Sequence, residues 1–120
     1  MNTRRNEPDI DTKAIGRMPA RQLEQELAEW DVIDVREPEE WVSGVIPGAR
    51  LMPLGSVLRR AGELDPTVRY AVVCAHGHRS LQACLWLANR GLQVTNVEGG
   101  MAAWRGSLGQ PDADAARRTR

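Results

Sequence analysis

Short apolar runs alternate along this chain with polar, glycine- and proline-punctuated segments, and the spacing within the runs switches between that of a buried strand and that of a helix. Residues 12–18 read as a short first strand. Pro19 then fits the first turn of a helix that carries Leu23, Leu27 and Trp30 on one face and ends before Asp31. Val32 to Val35 is a second buried strand leading into Arg36, and Glu37, Pro38, Glu39 and Glu40 have the acids and proline of a helix start. Ser43 and Gly44 stop that helix, Val45 to Gly48 turn the chain, and Ala49 to Met52 is strand-like. Gly55 and Ser56 open a helix through Leu58 and Ala61 that ends near Gly62, before a further turn at Asp65 and Pro66. Tyr70 to Val73 is a short apolar strand, after which Leu81, Leu85 and Ala88, with Cys84 between, repeat at helical spacing up to the stop at Asn89, Arg90 and Gly91. Gln93 to Val97 makes the last strand, Gly99 and Gly100 break it, and Met101, Trp104 and Leu108 mark one face of a terminal helix. Strands alternating with helices in this way predict an α/β domain, a central parallel sheet covered by helices on both faces.

The ends are different. Residues 1–12 and 110–120 are polar and mixed in charge and are expected to be flexible tails, which leaves residues 13–109 as one domain. With 120 residues the chain is long enough to bury a core without staples. Its sixteen basic and sixteen acidic residues cancel, which argues against a nucleic-acid footprint and against a polybasic membrane patch. No run reaches transmembrane length, and the first residues lack the apolar centre of a signal peptide. Two cysteines ten positions apart, one of them well inside a predicted helix, do not suggest a disulfide. A reduced, cytoplasmic setting is the expectation.

The candidate chemistry lies where the Tyr70 strand delivers Cys74 into the loop C-A-H-G-H-R-S, Cys74 to Ser80, which opens a helix. Parallel sheets keep their ligands at the carboxyl ends of their strands. Free N–H groups and the positive end of the helix dipole favour negative charge at that point, so a thiol there should ionise below its reference value of about 8.5. Gly77 lets the loop curl so that several N–H groups face one spot. A cysteine at a strand end is more commonly a small buried apolar residue, and exposed loop histidines are often merely solvated. The loop context favours a nucleophile for Cys74 and leaves His76 and His78 open between solvation and substrate contact. Cys74, His76 and His78 do not follow the spacing of zinc ligands, so no metal is expected. Cys84 reads as core. The four tryptophans read as packing residues, since one tyrosine is the only other aromatic and phenylalanine is absent.

Four motifs in register make the chain resemble the rhodanese-like domain family in its single-domain form. They are D-V-R at Asp34 to Arg36 followed by acids, G-V-I-P-G-A at Gly44 to Ala49, the strand running into C-A-H-G-H-R-S, and E-G-G-M-A-A-W at Glu98 to Trp104. The resemblance covers roughly residues 14–108. It departs at Val45, where the family usually has histidine.

The resemblance implies a cofactor-free sulfurtransferase in which Cys74 takes a sulfane sulfur and holds it as a persulfide. The anion would be stabilised by the N–H groups of the loop, Ala75, His76, Gly77, His78, Arg79 and Ser80, in the manner of an oxyanion hole. His76 and Arg36 match family positions that contact an anionic donor such as thiosulfate. Arg79 would close the loop by pairing with Asp34 or Glu39, although Asp34 could equally hold only a backbone N–H. Four residues separate the cysteine from the arginine, against five in related cell-cycle phosphatases. The smaller cup suits one sulfur atom and crowds a phosphoryl group. The implied partners are a small sulfur-containing anion with cyanide or a thiol as acceptor, or a sulfur-donating or sulfur-accepting protein in a persulfide relay. A third reading is a non-catalytic binding module on the same fold, against which the intact loop argues.

Overall fold

In the computed structural model, residues 15–111 are described. The expected tails and residues 12–14 of the expected first strand therefore fall wholly or largely outside the described residues. Five strands form one sheet in the order β1-β5-β4-β2-β3, every neighbouring pair parallel: β1 Gly16–Pro19, β2 Asp31–Asp34, β3 Arg50–Leu51, β4 Arg69–Val73 and β5 Gln93–Glu98. Five short helices connect and cover them: α1 Ala20–Glu26, α2 Pro38–Trp41, α3 Val57–Arg60, α4 His78–Ala88 and α5 Gly100–Ala103. The architecture is the α/β one that the hydrophobic pattern predicts.

Alternation along the strands divides the core in two. Ile33, Tyr70, Val72 and Val94 pack on one face against Val57, Ala61, Ala83, Cys84 and Leu87 of the α3 and α4 region. Their neighbours Val32, Ala71, Val73 and Val97 pack on the other with Leu23 of α1 and Trp104 after α5. A parallel strand buried on both faces must be apolar at successive positions, which is why β4 reads as the continuous run Tyr70 to Val73.

Several predicted helices are shorter or less regular. After Glu26 the chain tightens into a 3-10 turn over Leu27–Glu29, and Trp30 is already extended, its indole N–H donated to Glu26 and its ring covered by the Arg69 guanidinium at 4.3 Å. The Gly55–Gly62 helix is one α turn, α3, between 3-10 turns at Leu54–Ser56 and Ala61–Glu63. The expected terminal helix through Met101, Trp104 and Leu108 is a single turn, and Leu108 is exposed. Long-range contacts override its periodicity: the Arg105 amide donates to the Glu24 carboxylate, and Gly109 makes a two-way antiparallel bridge to Val45 (2.9 and 2.7 Å). Trp41 and Trp104 are core residues, and Trp30 and Trp86, half-buried, pack against the core from its edge, as expected of packing residues.

Candidate active site

β4, the middle strand of the sheet, ends at Val73 and places Cys74 between the ends of β2 and β5. The loop then turns at Gly77, whose φ of 103° is a conformation that side chains resist, and α4 begins at His78. No side chain of the preceding residue caps this helix. The Cys74 sulfur takes that place: it accepts the Gly77 amide at 3.1 Å and the Ser80 amide, in the first turn of α4, at 3.3 Å. The Ser80 hydroxyl lies at 3.3 Å from the same sulfur and accepts its S–H.

Cys74 is 1% exposed and Ser80 fully buried, so the thiol sits on the floor of the loop. Burial pushes the Cys74 thiol up, but hydrogen bonds to the sulfur anion, from the Ser80 hydroxyl once it turns its proton to the sulfur and from the Ser80, Gly77 and His76 amides, outweigh it, and the thiol ionises below its ordinary value. Cys84 meets the opposite fate. Burial in the core, with Cys74 nearby, pushes its thiol up to about 12, so it is inert as a nucleophile at neutral pH.

The E-G-G-M motif holds the other side of the loop. Met101 donates its amide to the Cys74 carbonyl (2.8 Å) and Ala102 donates to Ala75 (2.9 Å), so the single turn of α5 fixes the loop by its backbone. That approach requires glycine at position 100, where a Cβ would lie 2.3 Å from the Cys74 carbonyl oxygen. Asn96 of β5, 5% exposed, completes the frame: it accepts the Ser80 hydroxyl at 2.5 Å and donates to the Gly77 carbonyl at 3.2 Å. Sequence reasoning passed over Asn96, and it took Gly100 as a strand breaker and motif residue without its approach to the cysteine loop. An asparagine, a residue type that strands disfavour, between Val94 and Val97 of a predicted strand was the available signal for Asn96.

Two expected partnerships are different. Arg79 pairs neither with Asp34 nor with Glu39: its guanidinium forms two parallel bonds to Glu40, at 2.7 and 2.9 Å, and Glu39 is exposed on α2. Glu37 and Glu40 form a reciprocal capping box at the start of α2, which turns the Glu40 carboxylate back toward the loop. The E-x-x-E spacing was the signal in the sequence. Arg79 holds the Glu40 carboxyl down at about 2, with burial opposing and the Glu37 amide helping. Arg36, expected at the donor, is buried at 5% exposure. Its Nε and Nη2 donate to Asp34, Nη2 also to the Gly44 carbonyl, and Nη1 to the Glu40 carbonyl. Asp34 also accepts the Arg36 amide. Every nitrogen of that guanidinium thus bonds the framework, Nη1 reaching the backbone of α2.

His76 and His78 are exposed and, with Leu81, Asn96 and Glu98, line a cleft of about 230 Å³ beside the loop. A larger hollow of about 310 Å³, by Trp30 and Arg69, lies at the opposite end of the strands, away from the thiol. The arrangement at Cys74 can form a nucleophilic sulfur anion and hold one added sulfur atom among backbone N–H groups.

The Rhodanese-like domain model matches residues 19–107. A protein of Allochromatium vinosum named as a sulfurtransferase is 32% identical over 94 residues, which span 75% of this chain and 88% of that protein. YtwF of Bacillus subtilis (strain 168), whose name marks it as a candidate sulfurtransferase, is 41% identical over 75 residues, 62% of this chain and 73% of that one. Among solved structures, a rhodanese-like domain protein from Staphylococcus aureus superposes with a TM-score of 0.76 at 31% identity, covering 82% of this chain and all of that one.

Proposed function

Because the chain belongs to the family of rhodanese-like domains, we propose that it is a sulfurtransferase that moves a sulfane sulfur from a donor such as thiosulfate, through a Cys74 persulfide, to a thiophilic acceptor, cyanide or a thiol. The observation that carries this reading is the convergence of the Gly77 and Ser80 amides on the Cys74 sulfur at the carboxyl end of the central strand. The thiolate attacks the outer sulfur of thiosulfate. A sulfur–sulfur bond forms to Cys74 as the bond to the sulfite group breaks and its electron pair leaves with sulfite. The negative charge then rests on the terminal sulfur of the persulfide, where the loop N–H groups receive it. Cyanide or a thiolate attacks that sulfur, and the thiolate of Cys74 is regenerated. No side-chain base is required, since the nucleophile is already an anion when it reacts.

In this reading His76 and His78, which line the cleft beside the loop, meet the donor or acceptor, and Arg79, paired with Glu40, keeps the loop in shape. A thiol chemistry of this kind suits the reducing cytoplasm. Among the described residues no helix is long and apolar enough to cross a membrane.

One observation favours a second reading. Arg36 and Arg79, the two guanidinium groups nearest the expected donor position in sequence, are both engaged by carboxylates. A rim without them binds a dianion weakly, and protein-to-protein persulfide relay needs no such contact. Intact mass after incubation with thiosulfate or a persulfide donor tests both: a gain of about 32 Da on wild type and none on Cys74→Ala is the expected result. Labelling by a persulfide donor with negligible thiosulfate–cyanide turnover establishes relay. Absence of label with every sulfane donor refutes both, and leaves the fold as a binding module.

A further inference from the structure

The hydrogens around Ser80 can be counted. The Gly77 carbonyl only accepts, so the Asn96 atom facing it must be the amide nitrogen, and the amide oxygen must face Ser80. That oxygen also only accepts, so the one hydroxyl proton of Ser80 lies on the Asn96 side. What Ser80 presents to Cys74 is therefore a lone pair, which suits an S–H at 3.3 Å and opposes a bare sulfur anion. The Gly77 and Ser80 amides pull the other way.

From this geometry we propose that Asn96 is a positioning residue that sets the charge state of Cys74 through Ser80, by holding the hydroxyl proton away from the sulfur until the thiol ionises. Ionisation then requires a rotation. The proton leaves the sulfur for solvent, the Ser80 hydroxyl swings from Asn96 to the sulfur anion, and the Asn96 oxygen is left without a donor in a buried place. When the sulfur gains a second sulfur, its charge moves outward to the terminal atom and the hydroxyl returns to Asn96. The relay thus favours the two uncharged forms of the inner sulfur, thiol and persulfide, over the thiolate between them. It guards the resting thiol and drives the thiolate toward the sulfur-loaded form, a role that rests on the sulfur-transfer reading.

The other charged and titratable groups near the thiol are common to wild type and the alanine variants. Arg79 and Cys84 on α4 couple to it directly, and Glu40 on α2 acts through Arg79. His76 and His78 stand on the rim with Glu98 at the end of β5, and α5 carries no titratable side chain.

The experiment is the pH dependence of iodoacetamide alkylation at Cys74 in wild type, Asn96→Ala, Ser80→Ala and the double variant, which reads the thiol whether or not the protein transfers sulfur. Asn96→Ala frees the hydroxyl for the sulfur, and its midpoint falls by about one pH unit, a tenfold gain in thiolate at a pH below both midpoints. In the Ser80→Ala background the same substitution leaves the midpoint in place, because no hydroxyl remains to be released. Asn96→Asp, which still accepts from Ser80 and adds a charge, raises the midpoint and does so less in the Ser80→Ala background; it serves if Asn96→Ala does not fold, and an equal rise in both backgrounds overturns the proposal. A midpoint unchanged or raised in Asn96→Ala, or an equal shift with and without Ser80, overturns the proposal, since either marks Asn96 as loop support alone. Loss of sulfur labelling with the alkylation pattern intact instead refutes the sulfurtransferase reading.

Discussion

Gly100→Ala gives a sharp test of how the site is held. The added Cβ would meet the Cys74 carbonyl oxygen at 2.3 Å and the Ala75 carbonyl carbon and oxygen at 2.7 Å, all backbone atoms that cannot rotate away. Relief requires α5 to lift from the loop, which breaks the Met101–Cys74 and Ala102–Ala75 hydrogen bonds. Each contributes about 1 kcal/mol net. Position 100 also has φ +56°, where a side chain costs about 1–2 kcal/mol. The expected loss is about 3–4 kcal/mol, a large fraction of the roughly 5–15 kcal/mol that stabilises a domain. Gly91→Ala is the control, since φ there is +85° but nothing lies within 4 Å of the added atom, so only the backbone strain of about 1–2 kcal/mol applies. The assay is urea unfolding of both variants, with Cys74 alkylation alongside. At a slope of about 1–3 kcal/mol per molar urea, the difference of about 2 kcal/mol should bring the midpoint of Gly100→Ala about 0.7–2 M below that of Gly91→Ala. Equal midpoints would refute the reasoning, because they would mean that α5 does not pin the loop.

Arg36→Met should unfold or strongly destabilise the protein, by about 3–5 kcal/mol, because it leaves the buried Asp34 carboxylate without its partner. A variant of wild-type stability with only a raised KM for thiosulfate would show instead that Arg36 serves the donor. Glu40→Gln breaks the bidentate pair with Arg79, and because both groups are partly exposed the expected loss at neutral pH is about 1 kcal/mol. The Glu40 carboxyl is held down from its usual 4.5 to about 2, so its stabilisation is present above 4.5 and lost as pH falls through 2; acid titrations of wild type and variant should converge there. Peptide mapping after iodoacetamide treatment of the native protein should find Cys74 modified, with a midpoint below that of a free thiol at about 8.5, and Cys84 modified only after unfolding.

Local chemistry is legible wherever the residues that interact are close in sequence. The apolar run Tyr70 to Val73, the cysteine that follows it, the glycine that can take a positive φ and the helical spacing after it lie within one segment, and so does the capping box of Glu37 and Glu40. The hydrophobic alternation likewise carries the α/β class, because a strand buried on both faces leaves its mark residue by residue. The partner of Arg79 depended on how α2 docks against α4, and three neighbouring acids could not be ranked without it. Met101, Trp104 and Leu108 have helical spacing, but pairing of Gly109 with Val45, sixty-odd positions earlier, stabilises an extended course more than one further helical turn would. Asn96 and Gly100 acquire their meaning from the parallel register that brings β5 alongside β4 and carries its end to the cysteine loop. Short-range preferences chose the elements; register and docking, set by contacts between distant segments, chose which polar groups meet.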